Sequence, residues 1–149
     1  MDRPLFLYGT LCDPDLLAAV IGRAVDRRNV LFAVAPGQTA IFYDHRTHPA
    51  LAPAPGRQAP GLLILGLSGV DLHLIDAFAG AQYRRAILPV IVDDELYEAD
   101  AHLPIMRPGT GARSWSLEDW QRHHKHDVLR EEGEVMMVLR ARRAAARLN

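Results

Sequence analysis

The stretch "FLYGTLCDPDLL", Phe6 to Leu17, obliges the chain to pass from strand to helix within twelve residues. Leu5, Phe6, Leu7 and Tyr8 have strand character, and Gly9 and Thr10 break it. Asp13-Pro14 then supplies an N-cap followed by proline at the first helical position. Leu16, Leu17, Val20 and Ile21 recur at helical spacing, with Gly22 as the stop. Such a turn gathers bare backbone N–H groups beside a helix start, an arrangement suited to holding an anion.

The remainder predicts a mixed α+β chain. Asn29–Ala35 and Thr39–Tyr43 are β-rich runs separated by Pro36-Gly37, which predicts a hairpin. Residues 44 to 60 carry prolines at 49, 53, 55 and 60 and predict a long ordered loop. "GLLILGL", Gly61 to Leu67, predicts a buried strand. Ser68 with Asp71 opens a helix by a capping-box-like start, Val70, Leu74, Ile75 and Phe78 form its apolar face, and Gly80 ends it. Tyr83–Val92 and Glu95–Leu103 flank Asp93-Asp94 as strand, turn and strand. From Ser116 the tail predicts a helix or helix pair, with Gly133 as the break. The sum is one α+β domain with about six or seven strands and three or four helices. No internal repeat or linker interrupts it.

Size and charge narrow the function. At 149 residues the chain suits one domain with a real core. A formal net charge of −1 gives no general field for nucleic acid or an anionic membrane. The single cysteine, Cys12, excludes an internal disulfide and fits a reducing compartment. The first residues lack the apolar run of a signal peptide, and no stretch nears the roughly 18 apolar residues of a membrane span. A cytoplasmic protein is the expectation.

Three segments in order, "FLYGTL", "THPALAPAPGRQAPGLLILGLS" and "LIDAFAGAQYRR", resemble the γ-glutamylcyclotransferase-like superfamily, of the avirulence-induced-gene type. The resemblance covers most of residues 4 to 103. "ARSWSLEDWQ" is also similar to the segment that follows this domain in bacterial proteins where it precedes a Nudix domain. "REEGEV" lacks the glycine and glutamate spacing of a Nudix box. The resemblance implies a single γ-glutamylcyclotransferase-like domain over 1–149, a small, largely antiparallel β-barrel with three or four helices. Its helical extension begins at about residue 116. It further implies a pocket built on Tyr8, Gly9, Thr10 and Leu11, with Phe78 and Tyr83 nearby, taking a γ-glutamyl amine or a related amino-acid derivative. The position of His48 is usually a tyrosine at the pocket edge.

The family reaction is an intramolecular aminolysis. The substrate's α-amine attacks its own side-chain carbonyl, closes a five-membered ring and releases 5-oxoproline. Such a site must fold the substrate, stabilise an oxyanion with N–H donors and move one proton with a carboxylate. It needs no metal or cofactor. The family supplies that carboxylate as glutamate in a Leu-Asp-x-aromatic-Glu-Gly pattern followed by Tyr-x-Arg. Here Ile75-Asp76-Ala77-Phe78-Ala79-Gly80 precedes Tyr83-Arg84-Arg85, so Ala79 stands at the glutamate position and no catalytic residue of the family is intact. The resemblance thus implies turnover that is impaired or absent, or else a module that binds a small metabolite or docks a partner through the same pocket. The alanine is either natural or a Glu→Ala change introduced to trap a ligand. Asp76, three residues back, is shorter than glutamate and rotated around the helix. Asp93, Asp94, Glu95 and Glu98 belong to a solvated turn.

Other constellations favour plain readings. Cys12 next to a helix start could be an activated thiolate if His45 or His48 came within reach, but a small buried residue is the simpler reading. "DHRTH" (Asp44, His45, His48) and "HHKHD" (His123, His124, His126, Asp127) lack the partners of a zinc signature. The arginines of "RARRAAAR", Arg140 to Arg147, suit a helix end rather than nucleic acid. Trp115 and Trp120 are expected to pack the C-terminal helix onto the barrel. Met136, Met137, Val138 and Leu139 offer a homodimer contact that sequence does not decide.

Overall fold

The computed structural model describes residues 3–43, 48–109 and 111–147. Among these, five strands close a barrel in the order β1-β3-β2-β4-β5. They are β1 (Leu5–Leu7), β2 (Val30–Phe42), β3 (Pro49–Ile64), β4 (Tyr83–Val92) and β5 (Glu95–Pro104). The helices are α1 (Pro14–Ile21), α2 (Gly69–Ala79), α3 (Leu117–His123) and α4 (Lys125–Arg147). All strand pairs are antiparallel except β1 with β5.

The expected α+β barrel is present, but its strands differ from the sequence expectation. Asn29–Ala35 and Thr39–Tyr43 are not two arms of a hairpin. They are one strand, β2, whose register against β3 shifts between Pro36 and Gln38. The loop expected over 44–60 is instead mostly the first part of β3; residues 44–47 of that stretch lie outside the described residues. Among the described residues, β1 pairs with β3 only at Leu62–Ile64, so the earlier part of β3 is laddered to β2 with no strand paired to its other edge. A missing proline N–H costs no ladder bond on a free edge, so the prolines there are tolerated. These mergers bring six or seven expected strands down to five.

Alternation sorts the core into two clusters. Leu5 and Leu7 face outward with Ile64 into a layer shared with Leu16, Val20, Ile75 and Trp120. Phe6 points inward with Ala33, Ala35, Ala59, Ala99 and Ala101, and Tyr8 joins that inner cluster. A barrel of five strands has little interior, and these alanines leave room there for Phe6, Leu51, Leu63, Leu88 and Val90. Gly61 fits the same tightness: a Cβ there would collide with the carbonyl oxygen of Leu7 and lie 2.8 Å from the Phe6 ring.

The helix starts follow the sequence reading. Asp71 N–H donates to Ser68 Oγ, and Ser68 N–H donates to Asp71, completing the capping box. Asp93 and Asp94 take positive φ of 48° and 66°, as a tight two-residue hairpin requires. The tail is a helix pair, yet it breaks at His124, and Gly133 lies within α4. The break turns Lys125 back toward α1, where its Nζ lies 2.9 Å from Asp13 and 2.8 Å from Asp15. Both tryptophans are buried, as expected, and so is Met136, which removes it from any dimer contact. Arg140 donates to the carbonyls of Ala19 and Val20, satisfying the end of α1 from α4.

Asp13 is the tie between the two ends of the chain. It is fully buried and accepts from Asp15 N–H (3.0 Å), Leu16 N–H (3.1 Å) and Gln121 Nε2 (2.8 Å). Burial pushes its carboxyl up, but the bonds from Lys125, Gln121 and Leu16 win and hold it below the ordinary 3.8. A lowered folded value stabilises the fold above about pH 4 and ceases to do so as pH falls through that value. Asp13→Asn is therefore expected to cost roughly 1.5–3 kcal/mol at neutral pH, as charged hydrogen bonds do. The gap from wild type should narrow in urea melts as pH drops below about 4.

Candidate functional site

Where β1 ends, the chain turns through Gly9 into a 3-10 turn, Thr10–Cys12, before α1 begins. Gly9 is needed for contact: a Cβ there would lie 2.9 Å from Pro49 Cγ, at the start of β3. Thr10 and Leu11 open the 3-10 turn, so their N–H groups have no intrahelical partner. The start of α1 offers no such donors to a ligand, because the Asp13 carboxylate already accepts from Asp15 and Leu16. The expectation of an external anion at that helix start is corrected accordingly: the anion there is the chain's own.

A cavity lies over this turn, enclosing about 490 Å³ with its open mouth included. Its lining contains Tyr8, Gly9, Thr10, Leu11, Phe78, Ala79 and Tyr83, so the residues expected to share a site do come together. Phe6, Leu7, Ile75 and Pro49 add apolar wall, and His48 and His102 add two imidazoles. Ala79 is the last residue of α2 and brings no functional group.

Each wall is tied to another element. Tyr8 OH donates to the carbonyl of His102 on β5 at 2.5 Å. Tyr83 OH, at the start of β4, donates to the carbonyl of Pro49 at 2.9 Å. Thr10 Oγ1 and His48 Nδ1 are 3.0 Å apart, and the His48 ring meets Phe78 edge-on at 5.3 Å. Burial, then the neighbouring Tyr83 and Tyr43, pushes the Tyr8 phenol far above its ordinary range. Tyr8 is thus a fixed, neutral donor.

The sequence reading did not single out His102. Its Nε2 lies 2.7 Å from Asp76 Oδ1, and Arg85 Nε lies 3.3 Å from the same oxygen. Burial pushes the imidazole below its ordinary 6.5, against the opposing pull of Asp76. The contact is therefore a neutral imidazole donating to a carboxylate rather than an ion pair at neutral pH. The signal lay in β5 itself: Ala99 and Ala101 face the barrel interior, which turns Asp100 and His102 to the other face.

The remaining candidates do not join the cavity. Cys12 donates to the carbonyl of Leu7 at 3.1 Å and borders a separate groove with Phe32 and Trp115. His123, His124, His126 and Asp127 are exposed. Among the described residues no group of His, Cys, Asp or Glu is placed to hold a metal, and no helix is long and apolar enough to cross a membrane. Asp44 and His45 lie outside the described residues.

Residues 5–122 match the sequence profile of the family described as "Gamma-glutamyl cyclotransferase, AIG2-like". The chain belongs to that family. AIG2-like protein A of Arabidopsis thaliana is 23% identical over 135 residues, 89% of this chain and 80% of its own length. A solution structure of an Arabidopsis thaliana protein superposes with a TM-score of 0.66 at 19% identity, over 94% of this chain and 85% of that one. A structure titled "Gamma-glutamyl cyclotransferase" gives 0.60 at 14% identity, over 72% and 68%. At these identities the superpositions speak for the fold, and the family profile carries the membership.

Burial pushes the Cys12 thiol up to about 12, which leaves it protonated and inert. Mass spectrometry after iodoacetamide treatment at pH 8 is expected to find Cys12 unmodified in the folded protein and fully alkylated in urea.

Proposed function

We propose that the cavity takes a γ-glutamyl amine or a related amino-acid derivative, and that the family's cyclisation to 5-oxoproline is impaired here. The observation that carries the reading is Ala79: it closes α2 at the cavity wall, between Phe78 and the strand that starts at Tyr83. In the family pattern this place belongs to the glutamate. The N–H groups of Thr10 and Leu11, which have no partner within the 3-10 turn, are suited to a carboxylate or a developing oxyanion, and the apolar wall to the methylene chain. The tethered α-amine supplies its own proximity, so slow turnover survives the loss of the glutamate. Loss of acid–base help is worth about 10²–10⁴ in rate. The protein acts in the cytoplasm, on a small molecule.

Ala79→Glu is expected to raise 5-oxoproline formation from γ-glutamyl dipeptides and amines at least tenfold, followed by mass spectrometry. No gain with any of them would remove the glutamate assignment from position 79.

The absence of a carboxylate at Ala79 also favours a second reading, a module that binds the same class of ligand without turning it over. A γ-glutamyl amine that raises the melting temperature of wild type, with no product after prolonged incubation, would select it.

A further inference from the structure

Resting on the reading of this cavity as a γ-glutamyl amine site, we infer that His102, held by Asp76, carries the proton between the attacking and the leaving amine. Residual turnover in this chain then runs through an imidazole in place of a glutamate.

The two groups come from different elements, and of the pair it is His102 that lines the cavity. Asp76 sits one turn before Ala79 on α2, and His102 on β5 lines the same cavity as Ala79. A carboxylate only accepts, so Nε2 carries the hydrogen of the 2.7 Å bond and Nδ1 keeps the lone pair. The side chain of His102 is only 12% exposed, whereas that of Asp76 is 38% exposed. Solvent therefore meets the carboxylate more than the base. The ring is neutral at neutral pH, the state a proton acceptor needs. Its backbone is fixed as well, since its carbonyl accepts from Tyr8 OH and its strand pairs with Arg85. A carboxylate that orients an imidazole and steadies the imidazolium is a recurring device for general-base catalysis.

The step balances without a further reactant. The neutral α-amine nitrogen bonds to the γ-carbonyl carbon, and Nδ1 of His102 takes the proton that this nitrogen sheds. The same proton passes to the departing nitrogen as the old C–N bond breaks. The products are 5-oxoproline and the free amine, and His102 is neutral again. His102 is the catalytic residue; Asp76 is a positioning residue that acts through it.

The test compares wild type, His102→Gln, Asp76→Asn, Ala79→Glu and the Ala79→Glu/His102→Gln double variant. L-γ-glutamyl-L-alanine and L-γ-glutamyl-methylamide serve as probes, with 5-oxoproline read by mass spectrometry. His102→Gln is expected to lower kcat at least tenfold with KM changed less than threefold. The double variant is expected to keep at least a third of the Ala79→Glu rate, because there the glutamate moves the proton and the cavity is intact. Asp76→Asn is expected to lower kcat and to move the rising limb of kcat/KM to lower pH, since the lost carboxylate no longer favours the imidazolium. The other groups around the ring, Arg85 and Asp100 on the strands, Tyr8, and His48 across the cavity, are unchanged in that comparison. Wild-type turnover in His102→Gln would overturn the proposal. So would loss of activity in the double variant, which would make His102 a support for the cavity's shape. Product from Ala79→Glu but none from wild type would overturn the His102 role and leave the site reading standing. No product from either would end both.

Discussion

The structure depends on a strand of three residues. β1 pairs with β3 on one side and with β5 on the other, and without it the barrel does not close. Its side chains serve two cores at once, Phe6 inside the barrel and Leu5 and Leu7 under the helices. A strand so short has no slack: Gly61 must be glycine for Leu7 and Phe6 to approach, and Gly9 must be glycine for Pro49 to approach. The turn that follows is thereby set over the cavity at a fixed height. Closure of the fold and construction of the site are one constraint.

The same economy governs charge. A helix start beside a cavity ordinarily attracts an anion. Here Asp13 fills that role from within and is itself paired with Lys125 and hydrogen-bonded by Gln121 of the C-terminal helices. The dipole of α1 is spent on the fold, joining residues more than a hundred positions apart. The cavity is lined by the 3-10 turn, two phenols and two imidazoles, with no lysine or arginine among its lining residues. A ligand bound there, as proposed above, would be recognised by hydrogen-bond geometry and shape more than by a fixed cationic side chain.

What could be read in the sequence was what is local. The turn at Gly9, the caps at Asp13 and Ser68, and the hairpin at Asp93-Asp94 are each specified by residues within a few positions. The lining of the cavity followed from motif order, since Tyr8, Phe78, Ala79 and Tyr83 converge as expected. The long β2–β3 ribbon could not be read, because the prolines of β3 are accommodated by the edge that a short β1 leaves and Pro36 of β2 by the register shift beside it, both facts of tertiary structure. Gly133 was a poor guide to the helix break for a similar reason. Breaking at His124 brings Lys125 to a buried carboxylate, and that contact outweighs the roughly 1 kcal/mol penalty of glycine inside α4.

The Asp76–His102 contact shows why distance along a helix misleads about reach. Three residues before Ala79 and with a short side chain, Asp76 was set aside as a stand-in acid, and for direct contact that reasoning holds. The strand order supplies what the helix lacks. β5 runs beside β1, and its outward-facing His102 both meets Asp76 of α2 and lines the cavity. A carboxylate on one element and an imidazole on another together cover a span that neither covers alone. In a small barrel whose interior is packed with alanines, Leu and Val side chains and the Phe6 ring, the rim is where most functional groups find room, and a contact across the rim is a natural way to place one.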